Sequence, residues 1–238
     1  LAITGDGNVV LTGLSEAANA DLSGISASTE VQVASSVEFN GNAGDPDTLS
    51  FTVAEGPPLR LDSSAVDART VEGNGTLAVT GNITAGAEGS SALDLSNLTV
   101  SGVDLTGATL DAEVTDLTLA SSSEFTLLPE QAEQLTLTGN TEANSLTIDV
   151  SGLFTDLQTT AVLPVDVSTL GGNDTLRFNF GPGADDRQLN LSGSIKLGDG
   201  TNVLEVSNGV VSISGLGEYS GASIVQINST LVLSADQF

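Results

Sequence analysis

The sequence contains no cysteine, methionine, tryptophan or histidine among its 238 residues. Without cysteine and histidine the chain can form no disulfide bond, no thiol nucleophile and no Cys/His zinc site. It also lacks the imidazole base of a Ser-His-Asp triad. These absences exclude several large classes of enzyme and of structural metal site before any motif is considered.

Positive charge is almost as scarce, because 5 lysines and arginines face 31 acidic residues, for a net charge of −26. The basic residues are scattered along the chain, at Arg60, Arg69, Arg177, Arg187 and Lys196. Nucleic acids and anionic membrane surfaces both require clustered positive charge. No apolar run approaches the ~20 residues of a membrane helix. We therefore expect no nucleic-acid partner and no membrane insertion.

The hydrophobic residues are mainly small and aliphatic, since aromatics make up only 3% of the chain. Short segments alternate an aliphatic residue with Thr, Ser or Asn, as in residues 48–53, 145–150 and 175–180. Such alternation predicts half-buried strands, and the Gly, Asn and Asp between the segments predict turns. Helical patterns are confined to residues 14–21 and to Pro129–Gln134, where proline begins the segment. The sequence therefore predicts an all-β chain.

An internal repeat indicates how the strands are arranged. Residues 31–39 and 117–125 share Ala-Ser-Ser and Glu-Phe, and residues 225–233 form a looser third copy at an unequal separation. Repeated supersecondary units are typical of stacked architectures. We expect a parallel β-solenoid (β-helix) of irregular coils, and the alternative is tandem β-sandwich domains, which also contain many short strands.

The repeat copies also suggest a division of the chain. A first solenoid part at 1–130 would contain two copies, and a second part at 131–238 would contain the third copy and the Gly/Asp-rich turns. One continuous domain over residues 1–238 is equally compatible with this pattern.

The segment Gly-Gly-Asn-Asp-Thr-Leu at 171–176 resembles the latter part of the nonapeptide repeat of the RTX family. In that family the Gly-rich turns and Asp carboxylates of successive coils bind calcium. The resemblance implies Ca²⁺ as a cofactor, which takes about six to eight oxygen ligands. The ligands it implies, from this turn and related ones, are Asp45, Asp47, Asp174 and Asp199. No two full nonapeptides stand in tandem, so simple Asx turns are the alternative interpretation.

A broader resemblance concerns function. The Leu-x-Leu-x-Ser/Gly style of residues 97–102 and 229–238 is similar to bacterial surface-layer proteins and large repetitive adhesins. Those families imply an extracellular, cell-surface location, calcium-stabilised assembly and no catalysis. The end coils of a solenoid also leave unpaired backbone groups, which favours addition of another copy. We expect a non-enzymatic structural subunit or segment of a surface layer, filament or adhesin, whose partners are further copies of itself and calcium.

The alternative function is a carbohydrate-binding or polysaccharide-degrading β-helix. Acid pairs such as Asp185 with Asp186, or Asp45 with Asp47, are the candidates it offers, and surface polysaccharide would then be a partner. Sugar-binding grooves usually present aromatic platforms, yet this chain has no tryptophan and one tyrosine, Tyr219. No catalytic residue is assigned.

Overall fold

The structure is a computed structural model that describes residues 49–56, 58–66, 69–85, 93, 95, 97–119, 124–139, 142–154, 159–168, 172–184, 186–227 and 230–232. It also describes the backbone of five short strands within residues 2–39. The chain forms two compact units, Leu1–Val114 with Ala120–Phe125, and Thr115–Leu119 with Thr126–Phe238. The division at residue 130 suggested by the sequence stays a prediction.

The first unit is built from parallel strands. One set pairs in the order β2-β4-β6-β8-β9, a second in the order β5-β7-β8, and β1 pairs with β3. The strands are β1 (Ala2–Thr4), β2 (Val9–Leu11), β3 (Asp21–Gly24), β4 (Thr29–Val33), β5 (Val37–Phe39), β6 (Leu49–Val53), β7 (Leu59–Asp62), β8 (Val71–Ile83) and β9 (Leu98–Leu110).

The second unit contains two parallel sheets between which the chain alternates. One has the order β10-β12-β14-β16-β18-β20 and the other contains β13-β15-β17-β19. A further strand, β11 (Glu124–Leu127), straddles the division between the units. The strands are β10 (Asp116–Thr118), β12 (Thr136–Thr138), β13 (Ser145–Asp149), β14 (Thr160–Ser168), β15 (Thr175–Asn179), β16 (Gln188–Lys196), β17 (Asn202–Ser207), β18 (Val210–Ser220), β19 (Ala222–Ile227) and β20 (Thr230–Val232).

The alternating sequence pattern explains the core. In β6 the Leu, Phe and Val side chains are buried, and the Ser and Thr between them are half-buried. Parallel pairing then places like residues in rows, so that Leu146 lies beside Leu176, and Leu176 beside Leu204. All three leucines are buried. The prediction of a mainly β chain is therefore confirmed, with few helices and with parallel sheets.

Helices are few and short. The helix α1 (Ser63–Val66) follows β7, α2 (Pro129–Gln134) precedes β12, and a 3-10 turn covers Ser151–Leu153. The predicted helix at Pro129–Gln134 is confirmed, whereas most of residues 14–21 lies outside the described part of the chain. No helix of the described residues is long and apolar enough to cross a membrane.

One charged side chain lies inside the first unit. Arg69 is 1% exposed, and it donates hydrogen bonds to the backbone oxygens of Ala65 in α1 and Leu49 in β6. Its guanidinium carbon lies 5.2 Å from the centre of the Phe51 ring. The five donors of a guanidinium suit it to this position, because they can satisfy carbonyl groups on several elements at once.

Each repeat copy falls on two successive strands. Residues 31–39 include the end of β4 and all of β5, and residues 117–125 include parts of β10 and β11. Residues 225–233 include the end of β19 and all of β20. The repeat therefore corresponds to a strand, a connection and the next strand.

Tyr219 of β18 lies beside Ile195 of β16, in a row whose other residues are aliphatic. The phenol oxygen is buried and meets no hydrogen-bond partner among the described residues. Burial raises the pKa of Tyr219 above 10.0, since tyrosinate loses hydration there.

We expect the folded protein to ionise its single tyrosine at higher pH than the urea-unfolded chain does. Because the pKa is higher in the folded state, stability should fall as the pH rises from the unfolded value through the folded one. The tyrosinate absorbance of the folded and unfolded protein measures this directly. Identical titration curves would contradict it.

Candidate functional site

Three turns of the second unit lie directly on one another before strands of one sheet. We call residues 142–144, 172–174 and 200–202 the turn stack. Their last residues, Asn144, Asp174 and Asn202, hold equivalent positions, because the amide of Thr175 donates to the oxygen of Asn144 and that of Val203 to the oxygen of Asp174, each at 2.8 Å. All three side chains are at most 3% exposed.

The side chains of these residues join the turns. The backbone amide of Asp174 donates to Oδ1 of Asn202, and that of Asn144 donates to Oδ1 of Asp174, both at 2.9 Å. Each carbonyl or carboxylate oxygen thus satisfies a backbone amide on the neighbouring turn. Such pairing matters because a buried amide without a partner costs about 1–3 kcal/mol.

The two asparagines also use their amide groups. Nδ2 of Asn144 donates to the oxygen of Glu142 at 2.7 Å and to Oδ1 of Asp174 at 3.1 Å. Nδ2 of Asn202 donates to the backbone oxygens of Leu197, of Gly198 at 3.2 Å and of Gly221 at 2.9 Å. Each asparagine therefore bonds to backbone oxygens with its NH₂ group, and the Asn202 oxygen also accepts the amide of the neighbouring turn, whereas Oδ1 of Asn144 has no hydrogen-bond partner among the described residues.

Asp174 has an accepting oxygen like that of an asparagine, but it has no NH₂ group to donate. Its Oδ1 accepts two hydrogen bonds from Asn144, but its buried Oδ2 has no hydrogen-bond partner in the described part of the chain. The asparagines place a donating NH₂ group where Asp174 places Oδ2. A buried acceptor in that position needs a donor or a cation.

Glycine permits the close approach of these turns. Gly200 has a φ of +132°, and a Cβ built there would overlap the backbone oxygen of Gly172. A Cβ on Gly172, whose φ is +103°, would in turn overlap the backbone oxygen of Glu142. Side chains are therefore excluded at two successive levels of the turn stack.

The four implied calcium ligands occupy different environments. Asp174 is buried in the turn stack, whereas Asp199 lies on an exposed bend next to Gly200 and aligns with neither Asn202 nor Asp174. Asp45 and Asp47 lie outside the described residues. Asp174 and Asp199 therefore lie on neighbouring turns, but they do not occupy equivalent positions in them.

Other acidic candidates are no more clustered. Asp186 is exposed, and Asp185 lies outside the described residues. Within the described part of the chain no group of three or more acidic residues is close enough to hold a metal ion together. A cation at the turn stack would therefore depend on Asp174 Oδ2 and on neutral oxygens.

Sequence reasoning missed Asn144 and Asn202. Their signal is an Asn or Asp placed two residues before a leucine at the start of a strand, as in Asn-Ser-Leu, Asp-Thr-Leu and Asn-Val-Leu. The three copies are separated by 30 and 28 residues. A search for tandem nonapeptides cannot find partners at those separations.

No family model matches the chain, and no curated protein or solved structure is significantly similar to it. The resemblances to RTX turns, surface-layer proteins and adhesins stay predictions.

Gly200→Ala should destabilise the second unit more than Gly183→Ala does. Both positions have a positive φ, but a Cβ on Gly183 meets nothing within 4 Å. We expect Gly183→Ala to cost about 1–2 kcal/mol through backbone strain. Gly200→Ala should cost about 1–3 kcal/mol more, because the added methyl group overlaps a backbone oxygen. Urea unfolding followed by circular dichroism measures both, and equal losses would contradict close stacking.

Asp174→Asn should stabilise the protein in excess chelator by about 1 kcal/mol, because the new NH₂ group can donate as those of Asn144 and Asn202 do. Asp186→Asn is the matched control, since it removes the same charge from an exposed position in the same unit. If the two variants unfold at the same urea concentration, the missing donor at Asp174 has no energetic consequence.

Proposed function

We propose that this chain is a non-enzymatic structural protein of the cell exterior, a parallel β-solenoid subunit or segment of a surface layer, filament or adhesin. Its partners would be further copies of itself, with Ca²⁺ stabilising the fold or the assembly. The observation that carries the proposal is a strand edge, in a sheet of parallel strands, that no strand of the described part of the chain covers.

The solenoid is supported by the pairing of the strands. In the second unit each described strand pairs with a strand two or more places along the chain, in parallel, at separations of about 20 to 30 residues. β-Sandwich domains are made of antiparallel sheets, whereas the strands of both units described above pair in parallel, as β1 with β3, β14 with β16, and β8 with β9 do. A chain that alternates between two parallel sheets is best explained by successive coils.

A structural role is supported by the use of buried polar groups. Asn144, Asp174 and Asn202 bond to the backbone of neighbouring turns. In the first unit Arg69 bonds to backbone oxygens in the same way. These side chains, which in an enzyme could bind a substrate, instead fix the spacing of the turns.

The open edge belongs to β18. This strand pairs with β16 along most of its length, but β20 covers only Val210–Ser212 on the other side. No described strand pairs with Ser214–Ser220 on that side. Most of that stretch is exposed, and its acidic residue, Glu218, is 2.7 Å from the Lys196 ammonium. Such an edge offers unpaired backbone groups to a strand of a second copy.

Calcium fits this proposal through two kinds of carboxylate. Asp174 Oδ2 is a buried acceptor that lacks a positive partner, and Asp199 is an exposed carboxylate beside the turn stack. Bound Ca²⁺ would supply positive charge, at Asp174 to the turn stack and at surface acids such as Asp199 to the contact between copies. Neutralisation matters because copies of charge −26 repel one another over about 8 Å in physiological salt.

Negative-stain microscopy of the purified protein with Ca²⁺ should show filaments or sheets that dissolve in excess chelator. Gly217→Pro places a residue that cannot donate a backbone hydrogen bond in the exposed stretch of β18, and it should reduce this assembly strongly. Gly152→Pro is the control, because Gly152 is exposed in a 3-10 turn and a Cβ there meets nothing within 4 Å. Single particles of the wild type at high concentration, with and without Ca²⁺, would contradict the proposal.

A further inference from the structure

The first unit contains a pocket that the structural role does not require. It has a volume of about 440 Å³, within the roughly 300–1,000 Å³ of small-molecule sites. It opens where β7 passes into α1 and where β8 ends. Its lining combines hydroxyl, amide, carboxylate and aliphatic groups, from Asp62, Ser63, Ser64, Asn82, Ile83, Thr84 and Leu93.

The carboxylate of Asp62 is held in one orientation. Its Oδ1 accepts hydrogen bonds from the amide and the hydroxyl of Ser64, at 3.1 and 2.6 Å. Its Oδ2 lies over Gly81, where a Cβ would overlap it, and the φ of Gly81 is +77°. No described donor reaches Oδ2. The pocket therefore presents one fixed acceptor that carries negative charge.

The part of the lining around Asn82 is also held by hydrogen bonds. Nδ2 of Asn82 donates to Oδ1 of Asp111 at 2.6 Å, and the hydroxyl of Thr109 donates to Oδ1 of Asn82 at 3.1 Å. The hydroxyl of Ser63 donates to the backbone oxygen of Asn82 at 2.6 Å. Polar groups that are already positioned lose little conformational entropy when a ligand binds.

The chemistry of the lining selects the ligand. None of the lining residues is basic, so phosphate, sulfate or carboxylate ligands would meet only the Asp62 carboxylate and be repelled. The hydroxyl of Thr84 can both donate and accept, whereas that of Ser64 already donates to Asp62 Oδ1 and can only accept. The apolar part of the lining is small, since Ile83 is 2% and Leu93 8% exposed. A ligand that carries several hydroxyl groups and one apolar face satisfies all of these groups.

We propose that this pocket binds a sugar residue of a neutral glycan. One sugar hydroxyl donates to Asp62 Oδ2, a second donates to the Ser64 hydroxyl, and a third exchanges hydrogen bonds with Thr84. The C–H face of the ring covers the small apolar area that Ile83 and Leu93 expose. An ammonium ligand would use Asp62 but leave the hydroxyls and the apolar surface without a role. This binding is independent of self-assembly, so either can fail while the other holds.

Saturation-transfer NMR with glucose, galactose, mannose and N-acetylglucosamine, each added separately, tests the proposal, with ethanolamine as the amine probe. At least one sugar should receive transfer from the wild-type protein. Asp62→Asn should weaken its binding roughly tenfold or more, because a hydrogen bond to a charged acceptor is lost. Thr84→Val, which removes a hydroxyl with no described partner, should weaken it without a loss of thermal stability.

Asp104→Asn is the matched control. Asp104 accepts from the amide and hydroxyl of Thr106, at 2.9 and 2.7 Å, as Asp62 does from Ser64, and it does not line the pocket. This variant should bind as the wild type does. The proposal is overturned if no sugar receives transfer, if ethanolamine alone binds, or if Asp62→Asn and Asp104→Asn behave alike.

Discussion

Stacking of parallel strands requires each turn to lie about 4.8 Å from the next one, and the second unit is organised around this requirement. A turn has backbone groups that no strand can pair, and burial makes unpaired groups costly. Side chains of Asn144, Asp174 and Asn202 lie where such groups need partners. Oδ1 of Asn202 accepts the backbone amide of Asp174, and Oδ1 of Asp174 accepts that of Asn144. These bonds help to position β13, β15 and β17 relative to one another. They thereby help to align the row of leucines that these strands contain.

Among the described residues of the turn stack two buried oxygens lack a hydrogen-bond partner, Oδ1 of Asn144 and Oδ2 of Asp174, and only the second belongs to a carboxylate. Asparagine supplies both a donor and an acceptor, and the chain uses it on both neighbouring turns. Aspartate at the same level keeps the acceptor and replaces the donor with a second acceptor that remains without a partner. A negative charge in a chain of −26 is unfavourable without a local compensation. Asp174 is therefore where the proposed cation would affect the stability of the turn stack most directly.

Much of the fold could be predicted because its signals are local. Alternation predicts strands such as β6 and β13, and proline at position 129 predicts the start of α2. The Gly-Gly-Asn-Asp segment identifies a turn, but its partners are 28 and 30 residues away. The unequal separations between paired strands leave no fixed period to detect. The burial of Arg69 and the pocket at Asp62 depend on contacts between strands, which sequence spacing does not encode.

The distribution of charge along β18 connects the sequence composition to assembly. The stretch Ser214–Ser220 is neutral apart from Glu218, which is paired with Lys196. An open edge of this kind in a neutral protein would associate without control. The net charge of −26 opposes that association, but only over about a Debye length, and it weakens when salt or divalent ions screen it. In the proposed assembly the acidic composition would determine the conditions under which copies associate, and the edge of β18 would determine where they pair.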